Sequence, residues 1–458
     1  MHFDTPAVVT ADPNAGPWYK ELTRYHWFVL IVCTLGWLFD TMDQSIFNIA
    51  RRPAMMALVS PDKVTDYGFY ATSIFLCGWG AGGIAFGVLG DLIGRAKSMI
   101  LTILLYSLFT GLSALSTEFW HFAVFRFLTG LGVGGQFAVG VSLVAEEMPD
   151  RARPFALGLL QAMSAVGNIM AAVAGVALAF LARDEVVSET WRIMFLVGTA
   201  PALLVLVIMR RLKEPERWTK MAAEKTMRER VGAYGAELFR DPRWKRHALI
   251  GLILSSSGII GLWAIGFFSI DLQRAIFRQR LVAEGGLEPS ELTFQVDVWA
   301  AMTSVMMNIG GFFGMYLFSR FTHHLGRRLT FAIAFVLAML STLLVFWKFE
   351  SIGDIFWMIP IMGFCQLALF GGYAIYLPEL FPTRLRGSGT SFCYNGGRFV
   401  VAGATLILPQ MHGYFMRVNH LDDVTAFRYV GMIMCAIFLV GLAVLPFAPE
   451  TKGKPLPE

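Results

Sequence analysis

Twelve apolar stretches follow one another along this chain: 26–50, 66–90, 97–117, 119–146, 154–183, 191–211, 247–275, 296–320, 328–348, 354–380, 388–415 and 426–447. A helix needs about 20 mostly apolar residues to cross a bilayer, and every one of these windows reaches that length. The pattern predicts an all-α membrane protein with twelve transmembrane helices. Charged residues make up 16% of the chain, well below the roughly 25% of a soluble domain.

The charges that remain indicate an orientation. With both termini cytoplasmic, 25 of the 38 Lys and Arg fall on the cytoplasmic side, 12 of them between Arg210 and Arg246. Such an excess is what the positive-inside rule expects of a protein of the plasma (cell inner) membrane. The net charge of +5 therefore points to topology and not to nucleic acid. Residues 1–25 lack the basic start and small-residue cleavage site of a secretory signal, and are expected to form a cytoplasmic tail. The five cysteines (Cys33, Cys77, Cys365, Cys393, Cys435) all fall within expected spans and form no C-x-x-C pair. Neither a disulfide framework nor a metal site is indicated.

Two motifs occur twice. Glu146, Pro149 and Arg153 in "EEMPDRARPF" return as Glu379, Pro382 and Arg386 in "ELFPTRLRGS", offset by 233 residues. Gly94-Arg95 in "GDLIGRAK" returns as Gly326-Arg327 in "THHLGRRL", offset by 232. A near-constant offset close to half the chain length implies two homologous six-span halves, 26–211 and 247–447. A charged linker, 212–246, joins them, and a tail, 448–458, follows. Apolar residues near helical spacing in "MAAEKTMRERVGAYGAELF" predict an amphipathic surface helix within the linker.

Parallel six-span repeats with a site at the midplane between them describe a known transporter architecture, and the motifs agree with it. "GVLGDLIGRAK", "RFLTGLGVGG", "KEPERW" and "PETKG" resemble, in order, signatures of the major facilitator superfamily, closest to its sugar-porter and metabolite–proton symporter branches. The resemblance implies two pseudo-symmetric six-helix bundles, a monomer, a small-molecule substrate and the proton as coupling ion, with no other cofactor. It also implies that Asp91, Arg95, Glu146, Arg153, Arg327, Glu379 and Arg386 form a cytoplasmic gate of charge pairs. Partly desolvated pairs of this kind can bias a two-state equilibrium. The second half departs from the motif, with His323, followed by His324, in place of the expected Asp.

Asp40 and Asp43, in "GWLFDTMDQSIF", lie inside the first span, where ionisable residues are costly and usually functional. At 1.5 Å per residue they and Arg126 sit about 10–15 Å deep. In proton-coupled sugar porters an acid in this context works with the span 4 arginine, which implies a proton-sensitive pair of Asp40 with Arg126 and leaves Asp43 as a second candidate. A permanent structural pair is the alternative. Arg398, in "CYNGGRFV", has no acid in its own helix and suits a carboxylate clamp; pairing with Asp40 or with helix carbonyls is the other reading. Gln161 and Tyr394 occupy matched positions of the two halves and suggest a shared central cavity. Gln136, Asn168, Asn308, Gln366, Tyr373 and Asn395 are further candidates to line it, although such residues also serve as helix–helix hydrogen bonds.

The sugar-porter motifs of spans 7 and 10 are missing. With Arg398, that absence favours a proton-coupled symporter of a small organic anion, a carboxylate, over a sugar or polyol symporter. A non-transporting sensor on the same scaffold is a rival of another class. No nucleophile–base pair or metal-ligand cluster supports an enzyme.

Overall fold

A computed structural model describes residues 17–183, 190–224, 237–286 and 288–457. The expected N-terminal tail therefore lies outside the described residues up to position 16, as does the middle of the linker. Twelve helical segments occupy the twelve expected spans: α1 Arg24–Leu58, α2 Val64–Ile93, α3 Arg95–Ser113, α4 Phe119–Glu147, α5 Arg153–Arg183, α6 in the pieces Thr190–Val197 and Ala202–Arg211, α7 Pro242–Ile260 continued through Phe267–Glu284, α8 Pro289–Leu325, α9 Arg327–Lys348, α10 Met358–Glu379, α11 Arg386–Val418, and α12 in the pieces Asp423–Met434 and Ile437–Val444. Ten stretches among the described residues are long and apolar enough to cross a membrane.

Three spans depart from the continuous helices expected of them. In α6 the chain turns at Gly198–Pro201, where proline cannot supply the N–H that would continue the ladder. The twelfth span breaks at Cys435–Ala436. In α7 a π-helical turn, Gly261–Gly266, inserts one extra residue per turn and aims Trp263 into the centre of the molecule. Of the linker helix expected over 221–239, residues 221–224 end the helix Glu216–Glu224 and 237–239 are helical, and the rest lies outside the described residues.

The duplication extends to the packing. Helices associate in lipid by close backbone approach at small residues. Gly78 and Gly82 of α2 face the backbone of α4, and Gly310 and Gly314 of α8 face that of α10, each pair offset by 232. Gly130 of α4 and Gly363 of α10 return the contact at an offset of 233. A methyl group at any of these positions meets a carbonyl oxygen. The two halves meet along two long seams, α5 against α8 and α2 against α11.

Both described ends of the chain pack on one side, called here the terminal face. Trp18 stacks on Phe155 at the start of α5 (centroids 5.7 Å, planes 13° apart), and Arg386 at the start of α11 donates to Pro457 O at 3.4 Å. Glycines with positive φ, Gly94 (113°) and Gly326 (89°), make the turns between α2 and α3 and between α8 and α9 on this face. A carboxylate caps the helix after each. Glu214 accepts from the N–H groups of Arg95, Ala96 and Lys97 at 2.6–3.1 Å. Glu450 accepts from those of Arg327 and Arg328 at 3.0 and 3.1 Å. The "KEPERW" and "PETKG" motifs therefore deliver the same part to the two halves.

Burial would raise the Glu450 carboxyl, but N–H donors from Arg327, Lys452 and Arg328 outweigh it and hold the group below its ordinary value of 4.5. A carboxylate depressed in the folded state contributes stability above its ordinary pKa and loses it as pH falls through the folded one. Glu450→Gln is expected to cost about 1 kcal/mol at neutral pH, the scale of a carboxylate at a helix N-terminus. That difference from the parent should shrink as thermal unfolding is measured at pH values falling below 4.5.

Candidate functional site

Two carboxylates and two arginines lock the α2–α11 seam on the terminal face. Arg95 donates to Asp91 Oδ1 at 2.6 Å and to Glu146 Oε1 at 2.9 Å. Arg386, from the other half, reaches the same Glu146 oxygen at 2.9 Å. Asp91 crosses the seam and accepts from Gly387 N–H (3.0 Å), Ser388 N–H (2.7 Å) and the Ser388 hydroxyl (2.6 Å). A carboxylate at the N-terminus of α11 suits both the orphan donors and the dipole of that helix. The other seam is built differently. Arg327 holds Glu379 through two bonds, 2.7 and 3.0 Å, within its own half, and Arg153 donates to Ala145 O and pairs with Asp150.

His323 takes the place of Asp91 on that second seam, and its ring lies 5.3 Å from that of Phe155. Arg320 sits over Phe155 at 5.2 Å, and Trp18 stacks on the same ring. The α2–α11 seam is therefore closed by charge and the α5–α8 seam by rings and cations. Breaking a buried ion pair on one side costs about 3–5 kcal/mol, enough to shift a two-state equilibrium more than a hundredfold. Glu146→Gln leaves the buried Arg386 without its carboxylate and Arg95 with Asp91 alone, and is expected to open the terminal face. Distances between spin labels at the terminal-face ends of α2 and α11 should then lengthen; an unchanged distribution counts against the lock.

Behind this closed face lies a central cavity of about 150 Å³. Trp37, Thr41, Gln44, Ser45, Asn48 and Ile49 of α1 line it, with Gln161, Ser164 and Asn168 of α5, Ser304 and Asn308 of α8, Trp79, Trp263, Phe370, Tyr394 and Arg398. Asn48 and Ile49 of α1, like Ile270 of α7, lie further from the terminal face than Arg398, so the space extends toward the opposite face. Asn168 bridges the halves, donating to Asn308 at 2.9 Å and accepting from Ser45 at 2.8 Å.

Arg398 is 3% exposed and lies flat over Trp79, 3.7 Å from the ring centre. Its Nη1 donates to Tyr394 O (3.0 Å) and to Asn395 Oδ1 (2.9 Å), while Nε has no hydrogen-bond partner among the described residues. Tyr394 in turn stacks on Phe137 at 3.8 Å.

Of the candidates for the cavity, Arg398, Gln161, Asn168, Asn308 and Tyr394 line it. The other four serve helix packing. Gln136 accepts from Thr102 (2.7 Å) and Gln366 donates to Thr342 (2.6 Å), each tying two helices of its own bundle. Tyr373 donates to Leu254 O at 2.9 Å. Asn395 ties α11 to Gly134 O at 3.3 Å and orients Arg398.

The expected pairing of Asp40 with Arg126 is not the one formed. Arg126 faces Asp43, with Nη1 4.0 Å from Oδ2, and Asp43 also accepts from Thr110 at 2.7 Å. Ser113 receives two further Arg126 bonds, and the rings of Phe47, Phe122 and Phe195 surround the guanidinium. Asp40, one helical step round α1, is completely buried. Asp40 makes no ion pair among the described residues. Gln44, which lines the cavity, donates to Asp40 Oδ2 at 3.2 Å, and Oδ1 has no partner among the described residues. Gln44, Ser45 and Asn48 escaped sequence reading, although with Trp37 and Thr41 they recur at helical spacing on one face. Trp79 and Trp263 gave no local signal.

The sequence pattern describing the Major Facilitator Superfamily matches residues 33–404. A probable 4-methylmuconolactone transporter of Cupriavidus pinatubonensis is 28% identical over 443 residues, 95% of this chain and 93% of the relative. A cis,cis-muconate transport protein of Acinetobacter baylyi is 30% identical over 73% of this chain and 76% of its own. Among solved structures, the proton:xylose symporter XylE superposes with a TM-score of 0.70 at 18% identity, over 94% of this chain and 98% of that one.

Proposed function

The chain belongs to the Major Facilitator Superfamily, and from that premise we propose that it is an alternating-access symporter carrying a small, planar, unsaturated carboxylate together with protons. The unit is a monomer in the plasma (cell inner) membrane with both termini cytoplasmic, so the terminal face is the cytoplasmic one. The bodies that rock are residues 26–211 and 247–447. One observation carries the substrate class: a buried guanidinium, Arg398, lies at the wall of a cavity framed by Trp37, Trp79, Trp263, Phe370 and Tyr394. A planar carboxylate can meet the guanidinium fork with its two oxygens while its conjugated body lies against the rings. The relatives named for a muconate and a muconolactone carry the same chemistry.

Asp40 supplies the coupling. Ionised, it holds Arg398 through its charge; protonated, it frees the guanidinium for an incoming carboxylate. One proton moving with a monovalent anion is electroneutral, and each additional proton would draw on the membrane potential at about 2.3 kcal/mol per 100 mV. Asp43 and Arg126 form the second buried pair, placed to transmit a shift of α1 to α3 and α4. Asp91, Arg95, Glu146 and Arg386 close the cytoplasmic face, with Arg153, Arg327 and Glu379 fixing the loops around them.

Three tryptophans at the cavity make binding visible. Quenching of intrinsic fluorescence in detergent is expected on titration with cis,cis-muconate or benzoate and not with xylose. A response to xylose alone would reassign the protein to sugars.

A further inference from the structure

We infer a second binding site, for an anionic phospholipid, in the groove between the foot of α7 and the end of α12. Pro242, Lys245, Arg246, Leu249, Ile250 and Ile253 form one face of α7 at spacings of three and four, and Val444 and Phe447 of α12 form the other wall. The groove measures about 410 Å³. Leu249 and Phe447 are 43% and 62% exposed, which is what a lipid-facing crevice requires.

The wall is apolar below and cationic at its rim. Lys245 and Arg246 are exposed and in no ion pair among the described residues; Arg243 lies within one turn of them and Arg240 just before the helix. Arg246 also reaches toward Phe447 O at 3.5 Å, which joins the two walls at the headgroup level. Asp241, the acid just before this helix, is used to cap α7 through Arg243 N–H at 2.8 Å. The orientation proposed above puts this rim in the cytoplasmic leaflet, where anionic headgroups meet basic clusters at helix ends. Charge complementarity therefore selects an anionic diacyl lipid: the phosphate rests between Lys245 and Arg246, and one acyl chain lies along Leu249, Ile253 and Phe447.

Native mass spectrometry of the full-length protein tests the site, after exchange into mixed micelles holding equal phosphatidylglycerol and phosphatidylcholine. Wild-type protein should retain phosphatidylglycerol in preference. The double variant K245Q/R246Q should lose that preference on the order of tenfold, from two charges at the surface. Ile253→Trp, which fills the groove without touching charge, should lower retention as well. Equal retention of both lipids by the wild type, or unchanged retention in both variants, overturns the site. So does full displacement of the lipid by glycerol 3-phosphate, which would mean an anion site without an acyl groove. None of these outcomes bears on carboxylate binding at Arg398, so the two proposals fail separately.

Discussion

Arg398→Gln is expected to weaken carboxylate binding by on the order of a hundredfold while leaving a protein that still folds and inserts. The reason is geometric. Arg398 is held by Tyr394 O and Asn395 and on one face by Trp79, so its guanidinium is fixed at the cavity wall. Hydrogen bonds to charged groups contribute about 1.5–3 kcal/mol each, and losing a forked contact of that kind removes about 3 kcal/mol, or two powers of ten. Glutamine retains a planar donor that can still reach Asn395, so the helix packing survives. Isothermal titration with cis,cis-muconate reads the effect directly. Arg398→Lys should lose nearly as much, because an ammonium presents a point charge and not a fork. Equal affinity in the lysine variant would mean that charge alone, without the planar geometry, binds the substrate.

Asp40→Asn is expected to abolish accumulation driven by a proton gradient while sparing exchange of substrate across the membrane. The amide mimics the protonated acid, so Arg398 stays available and the cavity still loads. What disappears is the state in which an ionised Asp40 competes for that guanidinium, and with it the proton that must be released before the empty carrier resets. Counterflow with equal pH on both sides separates the two activities. Equal loss of accumulation and counterflow would make Asp40 a structural residue. Asp43→Asn is expected to behave differently, because that acid is packed against Arg126, Thr110 and the rings around them. It should lower stability, since a buried arginine is left without its counter-charge.

The fold was legible because lipid leaves few choices: apolar windows of spanning length become helices, and the repeated motifs divide them into two sets of six. Spacing also matched Glu146 with Glu379 and Arg153 with Arg386 on the terminal face, but not the contact of Glu146 with Arg386 across the halves. The partners of Asp40 and Asp43 were not legible. Residues three apart on a helix differ by about 60° in direction, which is enough to turn Asp43 toward Arg126 of α4 and leave Asp40 bonded to Gln44 of its own helix. Depth, the quantity available from sequence, does not contain that angle. The same limit separates Gln161 and Asn168, which reach the cavity, from Gln136 and Gln366, which turn into their own bundles to meet Thr102 and Thr342. Trp79 and Trp263 illustrate the rest. Each is an ordinary apolar residue in its own helix, and only the meeting of α2 with α7, rings 5.5 Å apart, makes them walls of one site. The π-turn that aims Trp263 also has no spacing signature; glycines at both of its ends are the sole local hint.

Proteoliposomes loaded with a pH-sensitive dye test the whole account most directly, because they follow substrate and proton together. With protein-free vesicles as the control for passive entry of acid, adding external cis,cis-muconate or benzoate should acidify the lumen of vesicles that carry the protein. An alkaline interior should drive the same carboxylate to accumulate. Carboxylate uptake that leaves the lumen pH unchanged and takes no notice of an imposed gradient would contradict proton coupling through Asp40 and Arg398.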